Sequence, residues 1–346
     1  MRESSRPIGV GIVGIGFGQQ VLLPAFRRDP RVSVVAIAAS TRERAETVAK
    51  RESIPLAFGA WNELVAHASV DVVATAVPPA LQPQIALAAM ALGKHVFCEK
   101  PLSLGAENAL LLRDRARETG VVHAVDFEFA ELRSWQKARD LIRSDRLGSH
   151  RNFSWTWHVE TRANRLQLDS WKVRSEDGGG ALSTFASHTL FLLEWLFGTV
   201  AEIVGCLAPD KGADTRVAAL VRLASGAIGT ISIATDATGG TGQALQVFGS
   251  EAALFLENAT RDHFRNFVLS VEERGRAREV IEDERLDATT DRGDGRIEPV
   301  GALVRRFVDS IAKGQATQPN FEDGARVEVL TDAIRRSHRS GAWSKV

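Results

Sequence analysis

The chain contains no tyrosine, which excludes mechanisms that rely on a tyrosine acid. It has two cysteines, Cys98 and Cys206, with no CxxC spacing and no His/Cys cluster. Neither a disulfide framework nor a metal site is expected, and a reducing cytoplasm fits that usage. No apolar run approaches the roughly 18 residues that a membrane-spanning helix needs, so no membrane partner is expected. The opening segment Met1-Arg2-Glu3-Ser4-Ser5-Arg6-Pro7 lacks the apolar core of a signal peptide. Charge of one sign is missing too. The 43 basic and 43 acidic residues cancel, which argues against nucleic acid as a partner. Lysine is scarce, 8 against 35 arginines, a bias that points to base composition rather than function.

At 346 residues the chain is long for one core, and two domains are the default. Residues 8–125 alternate strand and helix. Val32 to Ala38 and Val70 to Ala76 are continuous apolar runs of the kind that parallel strands buried on both faces require. Repeated βα units with short links predict a doubly wound parallel sheet over residues 1–125. From residue 126 to 346 the pattern changes. Arg151 to Glu160 alternates, Gly180 to Phe197 reads as an apolar helix, and further strands are expected between Ala201 and Glu257 and near Phe267–Glu272. Links such as Ser225-Gly226 and Ser250-Glu251 predict antiparallel hairpins. The charged stretch Glu272–Arg296 reads as a solvated excursion, and two helices, Val300–Lys313 and Phe321–Arg339, close the chain.

Three constellations carry chemistry. Gly14-Ile15-Gly16-Phe17-Gly18 follows the first strand and opens a helix, the context in which glycines let the backbone approach a pyrophosphate at a helix N-terminus. The third glycine of GxGxxG would fall at Gln19, so Gly18 comes one position early. The second strand ends at Ser40-Thr41-Arg42, with no Asp or Glu to accept ribose hydroxyls. These donors suit a 2′-phosphate and favour NADP(H) over NAD(H); equally, Ser40 can cap the next helix and Arg42 can be solvated. About 80 residues after the glycines, the strand Val96–Cys98 ends in Glu99-Lys100-Pro101. A lysine there can give a proton to a carbonyl oxygen, or be a surface lysine in a turn. On the apolar helix after Gly178-Gly179-Gly180, Thr184 and His188 share a face at i, i+4 spacing; such a histidine is either a core residue or a functional one.

Together, Gly14-x-Gly16, Val77-Pro78-Pro79, Gly93-Lys94-His95-Val96-Phe97-Cys98-Glu99-Lys100-Pro101, Gly178-Gly179-Gly180-Ala181-Leu182 with His188, and Phe321-Glu322-Asp323-Gly324 resemble the Gfo/Idh/MocA oxidoreductases over nearly the whole chain. The resemblance implies an N-terminal Rossmann domain and a C-terminal α/β domain with a large, mostly antiparallel sheet. The outer face of that sheet would join copies of the chain into a dimer or tetramer. It implies NAD(P)-dependent hydride transfer at a hydroxyl or ketone of a sugar, sugar derivative or cyclitol. Cofactor binding would fall to Gly14, Gly16, Phe17, Gly18, Ser40, Thr41, Arg42, Val77, Pro78, Glu99 and Lys100. Catalysis would fall to Lys100, His188 and Thr184, and substrate contact to Lys100, Asp126, Trp171 and His188. The Lys-Pro bond is often cis in the family. Thr184 and Phe191 stand where the family commonly has Asp, and Asp126 and Glu128 stand where it often has Asn and Arg. Those two acids face the nicotinamide, pair with Lys100, or form salt bridges at the domain junction. The same fold also serves catalytically silent sensors and non-redox lyases or glycosidases that hold a dinucleotide tightly.

Overall fold

The structure, a computed structural model, describes residues 6–210, 212–285 and 293–346. The chain divides into two compact units: one runs up to Glu128 and takes in Arg296–Arg326, the other comprises Phe129–Gly295 and Val327–Val346.

The first unit holds six parallel strands, β1 (Ile8–Val13), β2 (Val32–Ala38), β3 (Leu56–Phe58), β4 (Val72–Thr75), β5 (His95–Cys98) and β6 (His123–Val125), in the order β3-β2-β1-β4-β5-β6. This is the expected doubly wound sheet. Its strands are buried on both faces because helices such as Arg42–Glu52, Gln82–Ala91 and Ala106–Thr119 return each crossover over the sheet. Strand order reverses between β1 and β4, the place where open α/β sheets leave a crevice at their C-terminal edge.

A single boundary near residue 126 does not describe this unit. The helix Ile297–Lys313 packs Val300, Leu303, Val304 and Phe307 into the same core as Val10, Ile12, Phe26 and Phe97. Phe97 meets Phe26 and Phe307 edge to face at 5.4 and 5.6 Å. An amphipathic stripe carries no record of which sheet it covers, so sequence periodicity could not assign this helix.

The second unit holds β7 (His150–His158), β8 (Val200–Asp210), β9 (Ala213–Leu223), β10 (Ile228–Ala234), β11 (Gly242–Gly249), β12 (Ala252–Asn258), β13 (Val268–Glu273), β14 (Glu279–Asp283) and β15 (Ser344–Lys345). Their order is β14-β13-β12-β11-β7-β10-β9-β8-β15, and every pairing is antiparallel except β7 with β10. The hairpins expected at Ser225-Gly226 and Ser250-Glu251 join β9 to β10 and β11 to β12. One face is covered by the helices Arg133–Arg143 and Ser187–Phe197, with Trp135 stacked on Trp155 at 5.2 Å.

Two edge strands were not expected. β14 lies inside the charged stretch taken as a solvated excursion, of which residues 286–292 lie outside the described residues. Glu282 of β14 is buried because Arg133 and Lys137 both pair with it, and Glu284 accepts from the Ser134 amide and hydroxyl at 2.9 and 3.0 Å. Charge thus marks an anchored edge strand here, a pairing invisible to a local reading.

Truncating Phe307 to alanine tests the assignment of its helix. The residue is fully buried, so Phe307→Ala should cost about 3–5 kcal/mol of stability by denaturant unfolding. A loss under about 1 kcal/mol would place the helix outside the core.

Candidate active site

The turn after β1 explains each glycine separately. Gly14 has φ +106°, and a Cβ there would lie 2.2 Å from the Ala76 carbonyl oxygen beyond β4. Gly18 lies against Ile12, whose Cγ2 would be 2.9 Å from an added Cβ, so it does the close packing of helix on strand one position earlier than usual. Gly16 has nothing within 4 Å of its missing Cβ, leaving the backbone open on the side where an anion would sit. The turn therefore fits a pyrophosphate. The helix expected from here to Arg28 begins as a π turn, Gly18–Leu22, and ends as Leu23–Phe26. Gln19 points away to Glu52, donating to Oε1 at 2.9 Å. Phe17 lies under the Arg296 guanidinium, 5.1 Å from its ring centre.

At the end of β2 the helix cap is Thr41, not Ser40: its Oγ1 accepts from the Arg44 amide at 3.3 Å. Ser40 Oγ accepts from the Arg44 guanidinium at 2.8 Å, and Arg42 pairs with Glu46 on the exposed helix face. Arg44, four residues from Ser40 on the next turn, is a second cation that the tripeptide reading missed.

Val77 and Pro78 are half-buried beyond β4. Four residues later Gln82, fully buried, reaches across to the lysine corner. Its amide donates to the carbonyls of Glu99, Pro101 and Leu102 at 2.5, 3.0 and 3.2 Å, while its oxygen accepts from Thr75 at 2.8 Å. No sequence signal distinguished Gln82 from an ordinary first-turn residue, yet it fixes the backbone on both sides of Lys100. The Lys100–Pro101 bond is cis. Gly324 of the Phe321–Gly324 motif presses on the same corner, since a Cβ there would lie 2.8 Å from Leu102 and 3.0 Å from Val125.

Lys100 is half-buried, in the company of three acids. Glu99 precedes it, Asp126 leaves β6 with its amide donating to the Cys98 carbonyl at 2.8 Å, and Glu128 follows; Asp126 and Glu128 are 0 and 3% exposed. Burial, and then the charges of Glu99 and Glu128, raise the Asp126 carboxyl well above the usual range, with Lys100 pulling the other way. Burial and then Glu99 push Glu128 up to about 8, against Lys100 and Arg296. Buried like charges cannot all ionise, so the cluster keeps protons at neutral pH.

In the second unit, Gly178 and Gly180 have φ +84° and +113°. A Cβ on Gly179 would lie 2.3 Å from the Trp171 carbonyl oxygen, and one on Gly180 2.4 Å from the Asp214 carboxylate. Asp214, on β9, instead accepts from the Leu182 amide at 2.7 Å and so anchors the start of the apolar segment. That segment is not one α-helix. It opens as a π turn, Leu182–Ala186, and continues as Ser187–Phe197, so Thr184 and His188 do not stand in plain α register. Such turns recur at functional sites. The Thr184 hydroxyl donates to the Gly180 carbonyl at 2.6 Å. His188 is 5% exposed and meets Phe129 edge to face at 5.0 Å. Trp157, Phe185 and His263 complete an aromatic set around it, with Trp157–Phe185 at 4.7 Å and Trp157–His263 at 5.7 Å. His263, on a loop without periodicity, was not singled out from sequence. Trp171 is half-buried in a short 3₁₀ turn, and Phe191, at the family's second Asp position, is buried.

Comparison with known proteins bears on both units. A family described as "Oxidoreductase family, NAD-binding Rossmann fold" matches residues 8–127, and "GFO/IDH/MocA C-terminal domain" matches residues 135–255. An uncharacterized oxidoreductase of Synechocystis sp. is 31% identical, over 97% of this chain and 95% of its own. The chain belongs to the Gfo/Idh/MocA oxidoreductase family. It is accordingly an oxidoreductase with an NAD-binding Rossmann unit. Levoglucosan dehydrogenase of Pseudarthrobacter phenanthrenivorans is 25% identical over 98% of each chain. A structure of levoglucosan dehydrogenase in complex with NADH shares the fold at a TM-score of 0.87, with 23% identity over 98% of this chain and 99% of that one. No helix among the described residues is long and apolar enough to cross a membrane.

The raised Glu128 carboxyl makes a stability prediction. A carboxyl that binds its proton more tightly folded than unfolded contributes fully below its ordinary value of 4.5 and loses that contribution as pH rises to about 8. The melting temperature should therefore fall between about pH 5 and 8, and Glu128→Gln should flatten part of that slope in thermal melts across the range. An unchanged slope would mean Glu128 ionises normally.

Proposed function

We propose that this oxidoreductase reduces a ketone of a sugar, sugar derivative or cyclitol, with NADPH as the preferred cofactor and Lys100 as the proton donor. One observation carries the reading: Lys100 leaves the C-terminal end of β5, on the same edge of the sheet as the glycine turn after β1, in a corner held by Gln82. A bound nicotinamide supplies the hydride. The chain's own residues do the rest. The Lys100 ammonium gives its proton to the carbonyl oxygen as that oxygen gains charge. His188 and Thr184 hold substrate hydroxyls, and Trp171 offers a flat apolar wall. Thr184 cannot carry the charge of the family's Asp, so protonated His188 lacks that support and reduction, which needs an acid rather than a strong base, is the easier direction. The sugar class is supported by the full-length similarity to levoglucosan dehydrogenase.

NADPH is favoured because Ser40, Arg42 and Arg44 offer donors where a carboxylate would repel a 2′-phosphate. Copies of the chain are proposed to join through the outer face of the nine-stranded sheet, supported by exposed Leu220, Ile228 and Phe248. A reducing cytoplasm suits the two free thiols, of which Cys98 is pushed up to about 12 by burial.

Three measurements test this. Lys100→Ala should lower turnover roughly 10²–10⁴-fold with little change in cofactor affinity; near-full activity would make Lys100 structural. Fluorescence titration should give NADPH about tenfold or more tighter binding than NADH, since a hydrogen bond to a charged group is worth roughly 1.5–3 kcal/mol, and Arg44→Ala should narrow the gap. Equal affinities in the wild type would remove the NADP assignment. Light scattering should show a dimer or tetramer that Phe248→Glu weakens; a wild-type monomer would refute the sheet-face contact.

A further inference from the structure

We infer that Glu99 and Asp126 hold one proton between them as a store for Lys100, which makes Asp126 a positioning residue for the proton rather than a substrate contact. The inference rests on the reading of Lys100 as the proton donor.

The geometry begins with register. β5 and β6 are parallel neighbours with Cys98 opposite Val125, so Glu99 and Asp126 are the next residues on each strand and leave the sheet at one level. The Asp126 amide, bonded to the Cys98 carbonyl at 2.8 Å, fixes that level one residue from Glu99. The Asp126 side chain is fully buried, and neither of its carboxyl oxygens receives a hydrogen bond from a donor group. A charged carboxylate so placed has lost water and gained only the attraction of Lys100 in return. With a proton on one acid, the contact between Asp126 and Glu99 becomes an O–H···O hydrogen bond. An asparagine at position 126 would satisfy Glu99 equally well but could never release a proton. What this chain's aspartate adds is therefore the proton itself.

The groups that act on Asp126 are Glu99, Glu128 and Lys100, and Arg296 acts on Glu128. The Cys98 thiol, raised to about 12, stays neutral. Among the described residues no set of His, Cys, Asp and Glu is arranged to hold a metal ion, so the acids are not a metal cage. During reduction the N–H bond of the Lys100 ammonium breaks and its proton goes to the substrate oxygen. Lys100 is then a neutral amine beside a carboxylic acid. The O–H bond breaks, a new N–H bond forms, and acid plus amine become carboxylate plus ammonium. The carboxylate regains its proton from water by way of Glu128, which lies 3% exposed in the same cluster.

The test needs neither substrate nor cofactor. Infrared difference spectra of the cofactor-free protein across pH, with every protein carrying Glu128→Gln so that the Glu128 carboxyl adds no band of its own, read the C=O band of a protonated carboxyl. The otherwise wild-type protein should show the band at pH 7; it should vanish in Asp126→Asn and shift in frequency in Glu99→Gln, because the proton is shared. Lys100→Met removes the facing cation, so the band should persist to a pH higher by about one unit or more. Circular dichroism spectra and thermal melts of all three variants check that they fold. A band missing from the otherwise wild-type protein, surviving Asp126→Asn or unmoved by Glu99→Gln, overturns the shared proton. A band whose pH range ignores Lys100→Met overturns the store. These outcomes are independent of the Lys100→Ala kinetics, which alone decide whether Lys100 is the donor.

Discussion

Parallel pairing of β5 with β6 puts Glu99 and Asp126 at the same level beyond the sheet, with Lys100 the next residue along the chain. The acid cluster around Lys100 depends on that register. Slipping either strand by one residue would turn the side chain beyond its end to the opposite face. The register is held from several sides at once. Gln82 bonds three carbonyls of the corner, Gly324 leaves room for Leu102 and Val125, and the Val125 amide donates to the Pro319 carbonyl at 3.2 Å. A lysine on a loose loop would lose its orientation to thermal motion. Here the backbone on both sides of it is tied down.

The second unit solves a similar problem by different means. The Gly178–Gly180 triplet lets two backbone segments and the Asp214 carboxylate come within distances that any Cβ would forbid. Asp214 then bonds the Leu182 amide at the start of the π turn. A half-buried carboxylate at such a start meets unsatisfied N–H groups there, which offset part of its desolvation. The wide turn that follows sets where Thr184 and His188 emerge. Phe129 then meets the imidazole edge to face, and Trp157 of β7 lies tilted against it at 6.2 Å.

Much of the fold was legible in order and type. The helix Ala106–Thr119 and the hairpin between β11 and β12 fall where local rules put them, because a buried parallel strand and a two-sided antiparallel one leave different hydrophobic periods. The lysine corner and the glycine turn could be read because steric and chemical demands there are local. Less visible were Gln82, Arg44 and His263, whose partners lie 4 to about 100 residues away along the chain. The helix Ile297–Lys313 and the edge strand β14 belong with these: each is defined by what it packs against, and a local window sees only the element itself.

By itself the sequence determined which segments could be strand or helix, where the backbone must turn without a Cβ, and which residues could move a proton. Those properties are set within a few neighbours, by sterics and by the chemistry of single side chains. Tertiary structure alone decided the state of those groups. Asp126 is an ordinary acid in the chain. It becomes a buried proton carrier only when β6 sets it beside Glu99, out of reach of water. Ionisation depends on the surrounding dielectric and on charges a few ångströms away, and neither exists until strands remote in sequence are packed together.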